Sequence, residues 1–336
     1  MKKYLITGGA GFIGSRFINF MMNKYDDVEI INLDKLTYAG NPENLRDVEN
    51  NNRYTFYHGD ICDKKMVAEI FGKHEPDLLV NFAAESHVDR SIGKPEDFIE
   101  TDVYGTFVLL EAVRERSVSK FIQISTDEVY GSTQGEPFRE SDPLMPSSPY
   151  SASKAGADRL AYSYFKTYGL PIIVTRASNN YGSHQYPEKL IPLFITNAIE
   201  EKPLPLYGDG MNVRDWLYVE DHCSAIDFIV REGIDGEVYN IGGGNELTNM
   251  EITEKILDLT GRDKELIRFV DDRPGHDERY ALNCEKLSDL GWNPATDFED
   301  GIKLTVDWYV NGREWWEPLK SGEYLDYYKS HYGMEL

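Results

Sequence analysis

The sequence predicts an α/β protein: a doubly wound parallel sheet followed by a smaller mixed α/β lobe. Three observations carry that expectation. Short apolar runs alternate with segments of helical periodicity over the first half of the chain. The runs lack a polar face, as strands covered by helices on both sides must. A glycine-rich turn joins the first strand to the first helix, which is where sheets of this kind take their ligands.

The elements follow in order. Residues 4–7 form a strand, and 12–23 repeat apolar residues at helical spacing. Strands come next at 29–33, 54–58 and 78–82, then a long helix over 98–116 and a strand at 121–125. A helix at 150–168 and a strand at 172–175 end the regular alternation, so a first domain is expected over 1–176. Beyond it, 180–192, 203–212 and 271–276 are rich in Gly, Pro and Asn and read as loops. The helix 249–260 stops at Gly261, a residue suited to a C-cap. Residues 213–241 hold a helix (219–230) and a strand (238–241) that can return to the first sheet; the rest of 177–336 is assigned to a second lobe. The end of the chain carries Trp308, Trp315, Trp316 and clustered tyrosines, too aromatic for a disordered tail, and is expected to pack on the body.

Composition narrows the function. With 336 residues and 41% hydrophobic content the chain can bury a large core, which excludes disordered and fibrous classes. A net charge of −23 repels nucleic acid and anionic membranes, and is also what a salty cytoplasm selects. Cys62, Cys223 and Cys284 lie far apart without a C-x-x-C pair, so neither disulfides nor a thiolate metal site are expected, and a reducing cytoplasm fits. The first apolar run stops at Thr7, too short for a signal peptide, and no 18 apolar residues run together. His58, His74, His222 and His331 have no ligand-like spacing and read as packing or surface residues; His87 lies near the expected substrate side without assigned chemistry.

The turn after the first strand reads Gly8-Gly9-Ala10-Gly11-Phe12-Ile13-Gly14. Its glycines permit a tight turn and close approach to a pyrophosphate, which the helix N-terminus then attracts. Asp34 ends the second strand, placed to accept both ribose hydroxyls, and its charge disfavours a 2′-phosphate. This is a Rossmann-type fingerprint favouring NAD over NADP. Asp60 and Ile61, after the third strand, belong beside the adenine; Phe82, Ala83, Ala84, Glu85 and Ser86, after the fourth, line the cofactor.

Tyr150 and Lys154 stand one turn apart on a helix. A neighbouring ammonium and an oxidised nicotinamide favour the phenolate, so Tyr150 is expected to have a lowered pKa and to take a hydroxyl proton. The strand at 121–125 runs into Thr126, the expected donor to the substrate oxygen, and then Asp127 and Glu128. Adjacent carboxyls at that strand end point to acid and base work beyond redox chemistry, provided their surroundings split their pKa values.

These residues resemble the extended short-chain dehydrogenases/reductases, and among them the family of dTDP-glucose 4,6-dehydratases. The resemblance covers nearly the whole chain through Thr7–Ser15, AAESHVDRSI at 83–92, STDEVYG at 125–131, 150–155, SNNYG at 178–182, PEKLIP at 187–192, YGDGMNVRDWLYVEDH at 207–222 and DRPGHD at 272–277. It implies oxidation at C4 of the hexose, with Tyr150 taking the hydroxyl proton; loss of the C5 proton to Glu128 and of the C6 hydroxyl with a proton from Asp127; and reduction at C6. It also implies that Lys35, Thr37, Thr101 and Asn180 join the cofactor site, and that Ser86 and Thr126 meet the sugar. Asn179, Lys189, Arg214 and Arg273 would surround the diphosphate, Leu190 would also meet substrate, and Pro205, Leu206, Tyr207, Asn249 and His276 would lie around the base. A homodimer through the helices 98–116 and 150–168 follows from the same resemblance; the His and Cys spacing gives no metal site to expect. The chain departs from the family at Ser183-His184, after Gly182, and at Glu278, where an Arg is common. Read without the resemblance, the residues leave open a UDP- or CDP-linked sugar, a sugar-nucleotide 4-epimerase and a non-catalytic NAD-binding protein.

Overall fold

The computed structural model describes residues 1–334. Twelve strands run in chain order: Lys2–Thr7 (β1), Val28–Asp34 (β2), Tyr54–His58 (β3), Leu78–Asn81 (β4), Lys120–Thr126 (β5), Ile172–Ala177 (β6), Asn179–Tyr181 (β7), Leu204–Tyr207 (β8), Val213–Tyr218 (β9), Val238–Ile241 (β10), Glu246–Thr248 (β11) and Ile267–Val270 (β12). Seven of them form one sheet in the order β10-β6-β5-β4-β1-β2-β3, and every pair is parallel. Alternation along the strands feeds two cores. Leu5, Ile31, Leu79 and Phe121 are buried on one face, and Tyr4, Ile6, Ile30, Val80 and Ile122 on the other. The strand order reverses between β1 and β4, so the carboxyl ends of these strands open a crevice there.

The helix Val219–Glu232 and strand β10 do return to this sheet, where β10 pairs with β6. Strand β9 instead sits between β7 and β11 in a three-stranded sheet, and β8 pairs with β12 in a two-stranded one. A third core gathers there, including Phe194, Trp216, Ile252, Ile302 and Trp316, with Tyr324 and Tyr328 of the C-terminal helix Glu323–Tyr332. The aromatic end is therefore packed on the body.

Two expectations need correction, and one helix was not foreseen. The stretch 98–116 is not one α-helix: a π-helix, Ile99–Gly105, separates Pro95–Phe98 from Thr106–Glu115. A Cβ on Gly105 would come within 2.4 Å of Ile61 Cδ1, so the glycine lets this segment lie against the loop after β3. The expected loops at 180–192 and 203–212 contain β7, β8 and the start of the helix Leu190–Ile199. Partners distant in sequence, β9 and β12, turn these stretches into strands despite their Gly, Pro and Asn content. A helix also crosses Lys64–His74, started by Asp63, whose side chain accepts from the amides of Lys65 and Met66.

Candidate active site

A cavity of about 340 Å³ lies in the crevice. At its floor Gly8 adopts φ +69°, and a Cβ there would fall 2.6 Å from the Ala83 nitrogen. A Cβ on Gly14 would meet the Gly8 carbonyl at 2.3 Å, so only glycine lets the helix Phe12–Lys24 start so close to the strand. Asp34 accepts from the amides of Ala10 and Leu36, both at 2.8 Å. Burial raises its pKa and these two bonds oppose the rise. Lys35 pairs with Asp60 at 2.7 Å, and Asp60 accepts from the Cys62 amide at 2.8 Å. Phe12, Ile13, Thr37, Ile61, Phe82, Ala84, Ser86, Thr101 and Asn180 complete the walls, so every cofactor residue expected from the sequence faces this cavity. The glycine cradle that a Cβ would fill and the carboxylate at the end of β2 fit a dinucleotide with free ribose hydroxyls.

His222 was expected only to pack. It lines the same cavity, and its Nδ1 pairs with Asn180 Oδ1 at 2.8 Å. Burial pulls its pKa down to about 3, so it is neutral and fixes the Asn180 amide.

The catalytic candidates converge at the cavity's inner end. Strand β5 ends at Thr126, whose hydroxyl caps the short 3-10 helix Asp127–Tyr130 by accepting from the Glu128 amide at 3.3 Å and donates to Asp127 Oδ1 at 3.1 Å. Across the cavity, the helix Pro149–Tyr168 begins with a capping box between Ser148 and Ser151 and presents Tyr150 and Lys154. Lys154 Nζ donates to the Ile124 carbonyl at 2.8 Å. Burial lowers its pKa, while the charges of Asp102 and Asp158 act to raise it. In the protein by itself burial first, then the charges of Glu128 and Asp102, push Tyr150 well above the ordinary phenol; the lowering expected from the sequence depends on the positive charge of an oxidised nicotinamide beside the ring. The Lys154 ammonium, committed to a backbone carbonyl, does not overcome the burial.

Asp127 and Glu128 are both pushed upward by burial, yet their neighbours differ. Asp127 is further raised by the charge of Glu128, and its Oδ2 is buried without a partner among the described residues. Glu128 is held back by the charges of Arg273, Arg214 and Lys189. The pair is therefore split in the sense required for one acid and one base.

A second cavity, about 140 Å³, shares Glu128, Asn179, Glu188, Lys189, Leu190 and Trp216 with the first, so the two adjoin. Pro205, Leu206, Tyr207, Arg214, Asn249, Arg273 and His276 line it, which gathers the remaining residues expected to meet substrate. Arg214 is held by the carbonyls of Val213 and Asp277 at 2.7 and 2.9 Å and lies 4.2 Å over the Tyr280 ring. Lys189 donates to the Ser86 carbonyl. Asn179 Oδ1, Trp216 Nε1 and Arg273 Nε are buried without a partner among the described residues, as groups awaiting a polar ligand are. Sequence reasoning missed Asp89, Gln185, Glu188, Trp216 and Tyr332 as lining residues. Asp89 and Glu188 lie inside motifs whose spacing was noted, but only the folded chain aims them inward. Among the described residues, no three His, Cys, Asp or Glu side chains form a metal set.

Comparison with known proteins agrees with this arrangement. The chain is 50% identical to a dTDP-glucose 4,6-dehydratase of Escherichia coli, over 96% of this chain and 97% of that one. It is 52% identical to the low-salt glycan biosynthesis protein Agl12 of Haloferax volcanii, over 92% and 99%. The crystal structure of DesIV, a dTDP-glucose 4,6-dehydratase from Streptomyces venezuelae with NAD and TYD bound, superposes with a TM-score of 0.92 at 50% identity, covering 95% of this chain and all of that one. The family model described as GDP-mannose 4,6 dehydratase matches residues 5–305. By its crevice, its Tyr-Lys pair, its two adjacent acids and likeness along its whole length, this chain belongs to the GDP-mannose 4,6 dehydratase family and, within it, to the dTDP-glucose 4,6-dehydratases.

Proposed function

We propose that this chain uses NAD to convert dTDP-glucose to dTDP-4-keto-6-deoxyglucose and water, which makes it a lyase. The observation that carries the reading is the Asp127–Glu128 pair: both line the dinucleotide cavity, Asp127 is buried, and half-buried Glu128 also lines the cation-lined cavity. Bound NAD supplies the redox chemistry, removing hydrogen from C4 and returning it at C6. Tyr150 takes the proton of the 4-hydroxyl as C4 is oxidised. The resulting ketone acidifies C5, and Glu128, kept ionisable by three cations, removes that proton. The C6–O bond then breaks as Asp127, held protonated, gives its proton to the departing hydroxyl, which leaves as water. Glu128 returns its proton to C5. Thr126 donates to Asp127 and acts to lower the Tyr150 pKa, so the proton gained at Tyr150 would replace the one lost at Asp127 by way of this hydroxyl. Arg214, Arg273 and Lys189 would hold the diphosphate, with Tyr207 and Asn249 at the base end and residues 177–336 supplying most of that lobe.

The test is incubation of NAD-loaded protein with dTDP-, UDP- and CDP-glucose, with mass spectrometry for loss of water. Water loss is expected and is greatest with dTDP-glucose; isomerisation without water loss would instead make the protein a 4-epimerase. Glu128→Gln and Asp127→Asn should each lower turnover about 10²–10⁴-fold, while formation of enzyme-bound NADH, read by absorbance, persists. A homodimer and a cytoplasmic setting belong to the same proposal, supported by the resemblance and by three free cysteines. No helix among the described residues is long and apolar enough to cross a membrane.

A further inference from the structure

Asp89, on the short helix Val88–Gly93, lines the second cavity, and no step above uses it. Its side chain is 5% exposed and is shared by three other parts of the fold. Oδ1 accepts from Arg273 Nη1 at 3.0 Å. Oδ2 accepts from the Tyr207 hydroxyl at 3.1 Å and lies 3.4 Å from His331 Nε2. Tyr207 and His331 also hydrogen-bond to each other. Tyr207 ends β8, Arg273 comes from the loop after β12, and His331 belongs to the C-terminal helix.

A carboxylate beside a diphosphate site repels the ligand, so its presence needs a compensating role. The bonding pattern supplies one. Asp89 holds the Nη1 side of the Arg273 guanidinium, while Nε, on the other edge of the fork, is buried and has no partner among the described residues. That free edge is the one that takes two phosphate oxygens at once. We propose that Asp89 is a positioning residue for the nucleoside diphosphate: it aims the Arg273 fork at the phosphates and, through Tyr207 and His331, pins the C-terminal helix against the base end of the cavity. An amide cannot replace it, because Asn has one acceptor oxygen and would present N–H where donors already point.

The inference rests on the dehydratase reading for the identity of the substrate, but binding tests it separately. Titration calorimetry on the NAD-loaded full chain, with dTDP, UDP, CDP and GDP, first selects the diphosphate bound tightest. Wild type, Asp89→Asn, Arg273→Gln and the double variant are then compared with it. Asp89→Asn should weaken the diphosphate about tenfold and raise KM for the matching glucose nucleotide equally, with kcat changed by less than about threefold. The double variant should lose clearly less than the product of the two single losses, because part of the effect of Asp89 runs through Arg273. Diphosphate affinity equal to wild type in Asp89→Asn, losses that multiply in the double variant, or a fall in kcat at constant KM would each overturn the proposal. Should Asp89→Asn not fold, His331→Phe reads the same link and should also weaken the diphosphate; unchanged affinity there overturns it. Absence of water loss in wild type would remove the dehydratase reading and leave the binding comparison intact.

Discussion

A side chain's protonation depends on what surrounds it more than on what it is, and this protein uses that repeatedly. Asp127 and Glu128 are neighbours in sequence with opposite proposed tasks: Arg214 acts on both, Arg273 and Lys189 hold Glu128 down as well, and the charge of Glu128 raises Asp127 further. His184 shows the same principle outside the site. It adopts φ +65°, packs 4.4 Å from the Trp308 ring centroid, and burial lowers its pKa to about 3. The unfolded chain therefore binds a proton here at a pH where the folded one does not, so stability from this residue falls as pH drops below about 6.5. His184→Asn, which keeps a residue tolerant of that backbone region, should remove this slope. Thermal melts at about pH 7 and about pH 4.5 should show the wild type losing about 2 kcal/mol more than the variant on acidification. At this scale much of the site was legible. Gly8, Asp34, Tyr150 and Lys154 are spaced by local geometry, so order along the chain reveals them. Asp89, Glu188 and His222 act through partners far away in sequence, and nothing in their neighbourhoods announces that.

Elements divide by the same physics. The strands of the large sheet, buried on both faces, were readable to within about two residues because apolar runs are a local signal. Strands β7, β8 and β12 are short, and their pairing is decided by the fold of the whole lobe. The π-helix Ile99–Gly105 was likewise invisible, although it sets Thr101 on the cofactor cavity and buries Asp102, which accepts from Ser153 Oγ at 2.5 Å just ahead of Lys154. The helix carrying Tyr150 and Lys154 depends on its cap: Ser148 Oγ accepts from the Ser151 amide at 3.1 Å, and Ser151 Oγ accepts from the Ser148 amide at 3.0 Å. Ser148→Ala should cost about 1 kcal/mol of stability by thermal or urea unfolding. Because the first turn bears Tyr150, the variant should also slow NADH formation with dTDP-glucose, whereas NAD affinity should hold.

Over the whole molecule, a net charge of −23 surrounds a pocket built on Lys189, Arg214 and Arg273. Self-repulsion of the surface and attraction of the pocket respond oppositely to ions. Raising potassium chloride from about 0.05 to about 0.5 M shortens the Debye length severalfold, so the melting temperature should rise while KM for dTDP-glucose also rises. A melting temperature that falls over this range would show that surface repulsion is not a significant destabilising force. Composition made the charge legible, but not where the few inward cations gather. The position of β10 has a different consequence, felt during biosynthesis. Strand β6 is finished at Ala177, yet its outer neighbour is Val238–Ile241. While the ribosome makes the intervening segment, β6 is left with an open hydrogen-bonding edge, the kind that recruits foreign strands. A transcript truncated inside that interval would thus yield an aggregating product, and nascent chains stalled there are the ones a chaperone has most reason to hold.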